Sequence, residues 1–281
     1  MEGPMMAERR YPTRFCPFCA TEITTPTKYC VTCGVEVTWS IIEVQAPPYP
    51  WSPRTTYFIT IITYGLFFVL TFALIFYYLI FFGIPLYLLD SIFITDPFFT
   101  IVLTLGEVTF FLIPFAIVKR LKVGREKLGL FSGGIRNLSK DVILGLGVGV
   151  VLAPLILLLD LYELLAPGAG PPPTPPTPVD LFWMGMLCLT VILIIAPAEE
   201  VLFRGFIQNS LDAHYGRIGG LLVSSIIFGL AHLNPFIGVF QTVGSLFIGL
   251  LFQWRGRRLA SPIVAHATYD CLIIILDTFL I

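Results

Sequence analysis

The chain contains seven stretches apolar enough, and nearly all long enough, to cross a bilayer as helices, at 57–82, 98–118, 142–165, 181–206, 218–233, 236–254 and 261–281. A transmembrane helix needs about 20 such residues, so this succession decides the fold class. It predicts an all-α, polytopic membrane helix bundle. The turn sequence Gly83-Ile84-Pro85 leaves room for a re-entrant tail, so the count is seven or eight. Composition agrees. Only 12% of the residues are charged and 56% are hydrophobic, whereas a soluble domain carries about 25% charged residues. Residues 1–15 are polar and hold no apolar run, so the first helix is expected to act as its own insertion signal.

Lys and Arg orient the bundle. The loop after the second span holds Lys119, Arg120, Lys122, Arg125, Lys127, Arg136 and Lys140, and the loop before the last span holds Arg255, Arg257 and Arg258. With the N-terminus inside, all 17 basic residues fall on the cytoplasmic side. The positive-inside rule therefore predicts an integral protein of the cell membrane with a cytoplasmic N-terminus. The outer loop from Pro167 to Pro178 reads as a stiff disordered connector. Gly145, Gly147 and Gly149 sit inside a span and predict close helix packing. The net charge of −1 gives no reason to expect a nucleic-acid partner.

Ahead of the membrane region, residues 1–40 carry Cys16, Cys19, Cys30 and Cys33 as two C-x2-C knuckles. Four thiolates so spaced suit tetrahedral zinc. Two disulfides would need an oxidising compartment, and the cytoplasmic placement favours zinc. Such a zinc ribbon has little core, so the metal should supply most of its folding free energy. A module of this kind more often binds a protein partner than catalyses. Residues 41–56 read as a proline-rich linker, in which Trp51 and Tyr49 suit a membrane interface. Cys188 and Cys271, alone in apolar runs, read as small buried hydrophobes.

Ionisable residues inside a bilayer are costly and each is a candidate for function. Glu200 and Arg204 lie one helical turn apart and can pair, while Glu199 points about 100° away and is left for another partner. Phe228 and His232 lie on the next span. A hairpin turning at Tyr215-Gly216 brings His232 to the depth of Glu199, each about 25 Å from the turn. His266 and Asp270 share one face of the last span. Glu107 reads as a buried hydrogen-bonding group of the second span.

Glu-Glu-x-x-x-Arg at 199–204, Phe-x-x-x-His at 228–232 and His-x-x-x-Asp at 266–270 together resemble the three ordered motifs of the CPBP (Abi) family, which includes the type II CAAX prenyl endopeptidases. The resemblance is strongest over 140–281, within a membrane protease domain of 57–281. It implies an intramembrane endopeptidase in which Glu199 and His232 activate a water. The resemblance further implies that His266 and Asp270 would stabilise the oxyanion and that Glu200, Arg204 and Phe228 would support the site. Asp270 departs from the family's usual asparagine: an ionised aspartate cannot donate a hydrogen bond, so it is expected to be protonated or to orient His266. The implied substrate is a peptide or protein, with a prenylated C-terminus as one option. No H-E-x-x-H is present, and metal-free glutamate chemistry is favoured. A metal-dependent version stays open, because Glu, His and Asp also ligate metals. A non-enzymatic scaffold or immunity protein that keeps the family fold is the competing reading.

Overall fold

The computed structural model describes residues 14–16, 18–19, 21–23, 29–36, 50–83, 97–130, 135–154 and 175–280. Two compact units divide the chain, 1–50 and 51–281. In the first, β1 (Arg14–Phe15) pairs antiparallel with β2 (Glu22–Ile23), and Tyr29 bridges Glu36. Each Cys pair sits in a tight turn: the Cys16 N–H donates to Thr21 O, and the Cys30 N–H donates to Val35 O.

The second unit is helical. Its elements are α1 (Pro53–Phe82), α2 (Pro97–Arg120), α3 (Ile135–Leu152), α4 (Pro178–Thr190), α5 (Ala196–Glu200), α6 (Asn209–Leu230), α7 (Pro235–Trp254) and α8 (Ala260–Leu280). Among the described residues, four helical runs are long and apolar enough to cross a membrane: Pro53–Phe82, Thr100–Arg120, Pro178–Leu230 and Pro235–Trp254, with Ala260–Leu276 a shorter apolar helix. The expected third span is described only to 154; its remainder, with the Pro167–Pro178 connector up to 174 and the Gly83-Ile84-Pro85 tail from 84, lies outside the described residues.

The run Pro178–Leu230 is not one rod. Gly216 has φ 75° and ψ 164°, outside helical space, in a region L side chains avoid and glycine reaches freely. The chain reverses there, and a β-carbon on Gly220 would lie 2.3 Å from the Asp212 amide nitrogen. The hairpin expected at Tyr215-Gly216 is therefore present. Two of the three expected packing glycines also serve that purpose. A β-carbon on Gly145 would meet Ser261 O at 2.7 Å and one on Gly149 would meet Ala265 O at 2.6 Å, whereas Gly147 faces open space. Close approach of α3 and α8 makes the core of Leu152, Ile248, Leu251, Ala265 and Tyr269.

The basic loops converge at one end of the bundle. Arg255 and Arg258 pair with Asp141, Arg257 pairs with Asp212, and Leu259 N–H donates to Gly129 O. Trp51, expected at a membrane interface, is instead buried and stacks on Phe206 with ring centroids 4.7 Å apart. Ser52 caps α1 and Pro53 opens it, so the helix starts inside the expected linker. That start carries Trp51 onto the helix bundle.

Candidate active site

The helix leading to the two glutamates is widened by its own sequence. Pro197 has no N–H and its ring crowds the carbonyl four residues back. Just before it, Val191–Ile195 opens into a π-turn in which the Ala196 N–H reaches Val191 O. A second π-segment, Val201–Gln208, follows α5. Such widenings recur at functional sites because they re-aim side chains within a continuous helix.

Glu200 and Arg204 pair as their spacing predicts. Arg204 Nη1 donates to Glu200 Oε1 at 2.7 Å, with side-chain exposures of 1% and 0%. Arg204 Nη2 also donates to Ser245 Oγ at 3.1 Å, and the guanidinium lies 5.0 Å from the Phe228 ring centroid. A charge so enclosed is tolerable only with its donors occupied. Ser245 went unnoticed in the sequence, where one serine in an apolar helix carries no signal.

His266 joins the three carboxylates. Its Nδ1 lies 2.7 Å from Glu200 Oε1, and its Nε2 lies 3.4 Å from Glu199 Oε2 and 3.3 Å from Asp270 Oδ2. Helix register produces this meeting. Arg257 donates to Asn209 Oδ1 at 3.0 Å where α6 and the loop before α8 meet. Glu199 lies ten residues before Asn209 (209 − 199) and His266 nine residues after Arg257 (266 − 257), so the antiparallel chains bring the two side chains back to a similar level. Glu199 and Glu200 point in different directions, and both reach His266 because the ring has a nitrogen on each side.

His232 departs from the expected pairing. Helix α6 ends at Leu230, so His232 stands in the turn beyond it, where Asn234 caps α7. Its Nδ1 lies 3.0 Å from Phe228 O. Among the described residues, Glu199 is in hydrogen-bonding reach of His266 and not of His232. Equal residue counts from the turn say nothing about azimuth, which decides whether two side chains meet. Phe228 joins the groups: its ring centroid is 5.1 Å from His232, 5.7 Å from His266 and 4.7 Å from Phe203.

In the N-terminal unit, the ligand atoms of Cys16, Cys19, Cys30 and Cys33 all lie within 4.8 Å of one another. Cys16 Sγ is 3.5 Å from Cys33 Sγ, and Cys19 Sγ is 3.6 Å from Cys30 Sγ. Four sulfurs about 2.3 Å from one tetrahedral ion stand about 3.8 Å apart, whereas a disulfide needs about 2.05 Å. The four cysteines are thus a group able to hold one metal ion. Burial raises the Cys30 thiol, but the amides of Cys33 and Thr32 and the neighbouring thiols outweigh it and bring it down to about 7.

Residues 181–272 match the family described as type II CAAX prenyl endopeptidase, Rce1-like. Over 84 residues the chain is 33% identical to a Bacillus subtilis (strain 168) protein described as the uncharacterized protein YpbD. That stretch covers 28% of this chain and 40% of the relative, so the match spans less than half of that protein. No solved structure shows a significant match.

Proposed function

With residues 181–272 forming an Rce1-like type II CAAX prenyl endopeptidase domain, we propose that this integral membrane protein hydrolyses a peptide bond near the cytoplasmic membrane face. The observation that carries the reading is the buried relay Arg204–Glu200–His266, which ends at Glu199 and Asp270 within 3.4 Å of one imidazole nitrogen. All five residues fall inside the matched segment.

In this reading Glu199 is the general base. It takes a proton from a water whose oxygen attacks the scissile carbonyl carbon, and His232 helps hold that water. The resulting oxyanion accepts from the Nε2–H of His266, which acts as an imidazolium because its Nδ1–H is already donated to Glu200 at 2.7 Å. As the tetrahedral species collapses, the C–N bond breaks and the proton on Glu199 passes to the departing nitrogen, leaving a carboxylic acid and an amine, which ionise to carboxylate and ammonium on release. Glu200 and Arg204 orient His266, and Phe228 separates the two imidazoles.

The substrate is a membrane-associated peptide or protein, with a prenylated C-terminal peptide the substrate class named by the family. The ribbon holds a structural zinc and offers a surface to a protein partner on the cytoplasmic side. The deciding experiment compares C-terminal peptides from wild-type and Glu199→Ala membranes by proteomics. Cleaved termini that vanish in the variant are the expected result. Identical peptide sets would support the scaffold reading instead.

A further inference from the structure

Between α6 and α7 the chain reverses within Ala231 to Asn234. The reversal is tight because the two helices meet through their backbones: a β-carbon on Gly238 would lie 2.8 Å from Gly229 O. Within it Leu233 takes φ 56°, a left-handed conformation that a β-carbon disfavours. The Asn234 N–H donates back to His232 O at 2.7 Å, so the bond closes over a central residue of positive φ, the rare γ-turn pattern. Leu233 is 68% exposed, so burial does little to offset this strain. Such strain persists only where the surroundings over-determine it, and it clusters where geometry serves a function.

The geometry so enforced falls on His232. In a continuing α-helix the His232 N–H would donate to Phe228 O, four residues back. Here it donates to Gly229 O at 3.2 Å, and the Leu233 N–H donates to Leu230 O at 3.3 Å. The Phe228 carbonyl is thereby left for the imidazole, whose Nδ1 lies 3.0 Å away. A carbonyl only accepts, so Nδ1 carries the hydrogen and a neutral His232 keeps its lone pair on Nε2. Asn234 holds the other end of the turn. Its Oδ1 accepts from the Phe236 N–H at 2.9 Å and the Ile237 N–H at 3.3 Å, capping α7. The Phe228 ring, 5.1 Å from His232 and 5.7 Å from His266, sets this turn beside the buried relay.

We propose that Asn234 is a positioning residue for His232: by capping α7 it holds the strained turn that commits Nδ1–H to Phe228 O and presents Nε2 as a hydrogen-bond acceptor for the attacking water. The consequence for catalysis rests on the hydrolytic reading above. The link from Asn234 to the imidazole does not, since it consists of the hydrogen bonds of the turn itself.

The test is solid-state ¹⁵N NMR of the full chain in lipid bilayers, labelled at its three histidines and recorded in alkaline buffer, beside cleavage of a prenylated C-terminal peptide. The His232 signals are those lost in His232→Gln, and wild type should show them as the Nδ1–H tautomer. Asn234→Ala should mix the two tautomers and lower kcat by about 10-fold or more with KM near wild type, since misplacement by about 1 Å can cost about 10²-fold. Asn234→Asp, which keeps the cap acceptor, should restore both. Glycine at an N-cap costs little stability yet supplies no side-chain acceptor, so Asn234→Gly should fold and behave as Asn234→Ala. A pure Nδ1–H signal in folded Asn234→Gly overturns the proposal, and so does a mixed signal with unchanged kcat. A tautomer shift in Asn234→Gly beside a wild type that cleaves nothing supports the positioning of His232 and counts against the hydrolytic reading alone.

Discussion

His266 Nδ1 lies 2.7 Å from the Glu200 oxygen that also accepts from Arg204 Nη1 at 2.7 Å. One carboxylate oxygen therefore fixes both the guanidinium and the imidazole. With the Nδ1 side committed to Glu200, Nε2 is the nitrogen that faces Glu199 and Asp270.

The two glutamates should separate on mutation. Glu199→Gln is expected to lower the initial rate on any validated substrate by about 10²–10⁴-fold, with melting in detergent near wild type. Glu200→Gln removes the charge facing buried Arg204 and should lower both melting temperature and rate, because breaking a buried pair typically costs about 3–5 kcal/mol. Full activity in Glu199→Gln would sink the mechanism.

The turn at Gly216 offers a stability test remote from the chemistry. Any side chain there must adopt φ 75°, a strain of about 1–3 kcal/mol. Gly216→Ala should therefore lower the melting temperature, while Gly147→Ala, where a β-carbon would meet nothing within 4 Å, should not. Equal melting of the two variants would argue against the hairpin.

Metal content tests the ribbon. Purified protein should hold one equivalent of zinc that disappears in a Cys16→Ser, Cys19→Ser double variant, since two thiolates cannot complete a tetrahedral site. Stoichiometric zinc surviving in that variant would place the ion among Glu199, His266 and Asp270 and revive a metal-dependent mechanism.

Sidedness is read by labelling. A cysteine replacing exposed Pro175 should react with an impermeant thiol reagent from outside intact cells, above the parent's own labelling, and one replacing exposed Lys127 should not. The opposite pattern would reverse the orientation and move the centre away from the cytoplasmic leaflet.

What the sequence determined by itself is what short-range geometry dictates. Bilayer thickness makes apolar run length diagnostic, so every expected span coincides with a helix, the third over its described part. One helical turn sets Glu200 against Arg204 and His266 against Asp270, and two knuckles set four thiolates around one point. Only the tertiary structure decided which groups from different helices meet. Glu200 and His266 are 66 residues apart, and Arg204 and Ser245 are 41 apart. Each residue turns a helix by about 100°, so such contacts depend on rotations that no local pattern specifies. Here the π-turn before Pro197, the Gly145 and Gly149 approach to α8 and the end of α6 at Leu230 set those rotations. That is why Glu199 faces His266 when depth alone had matched it to His232.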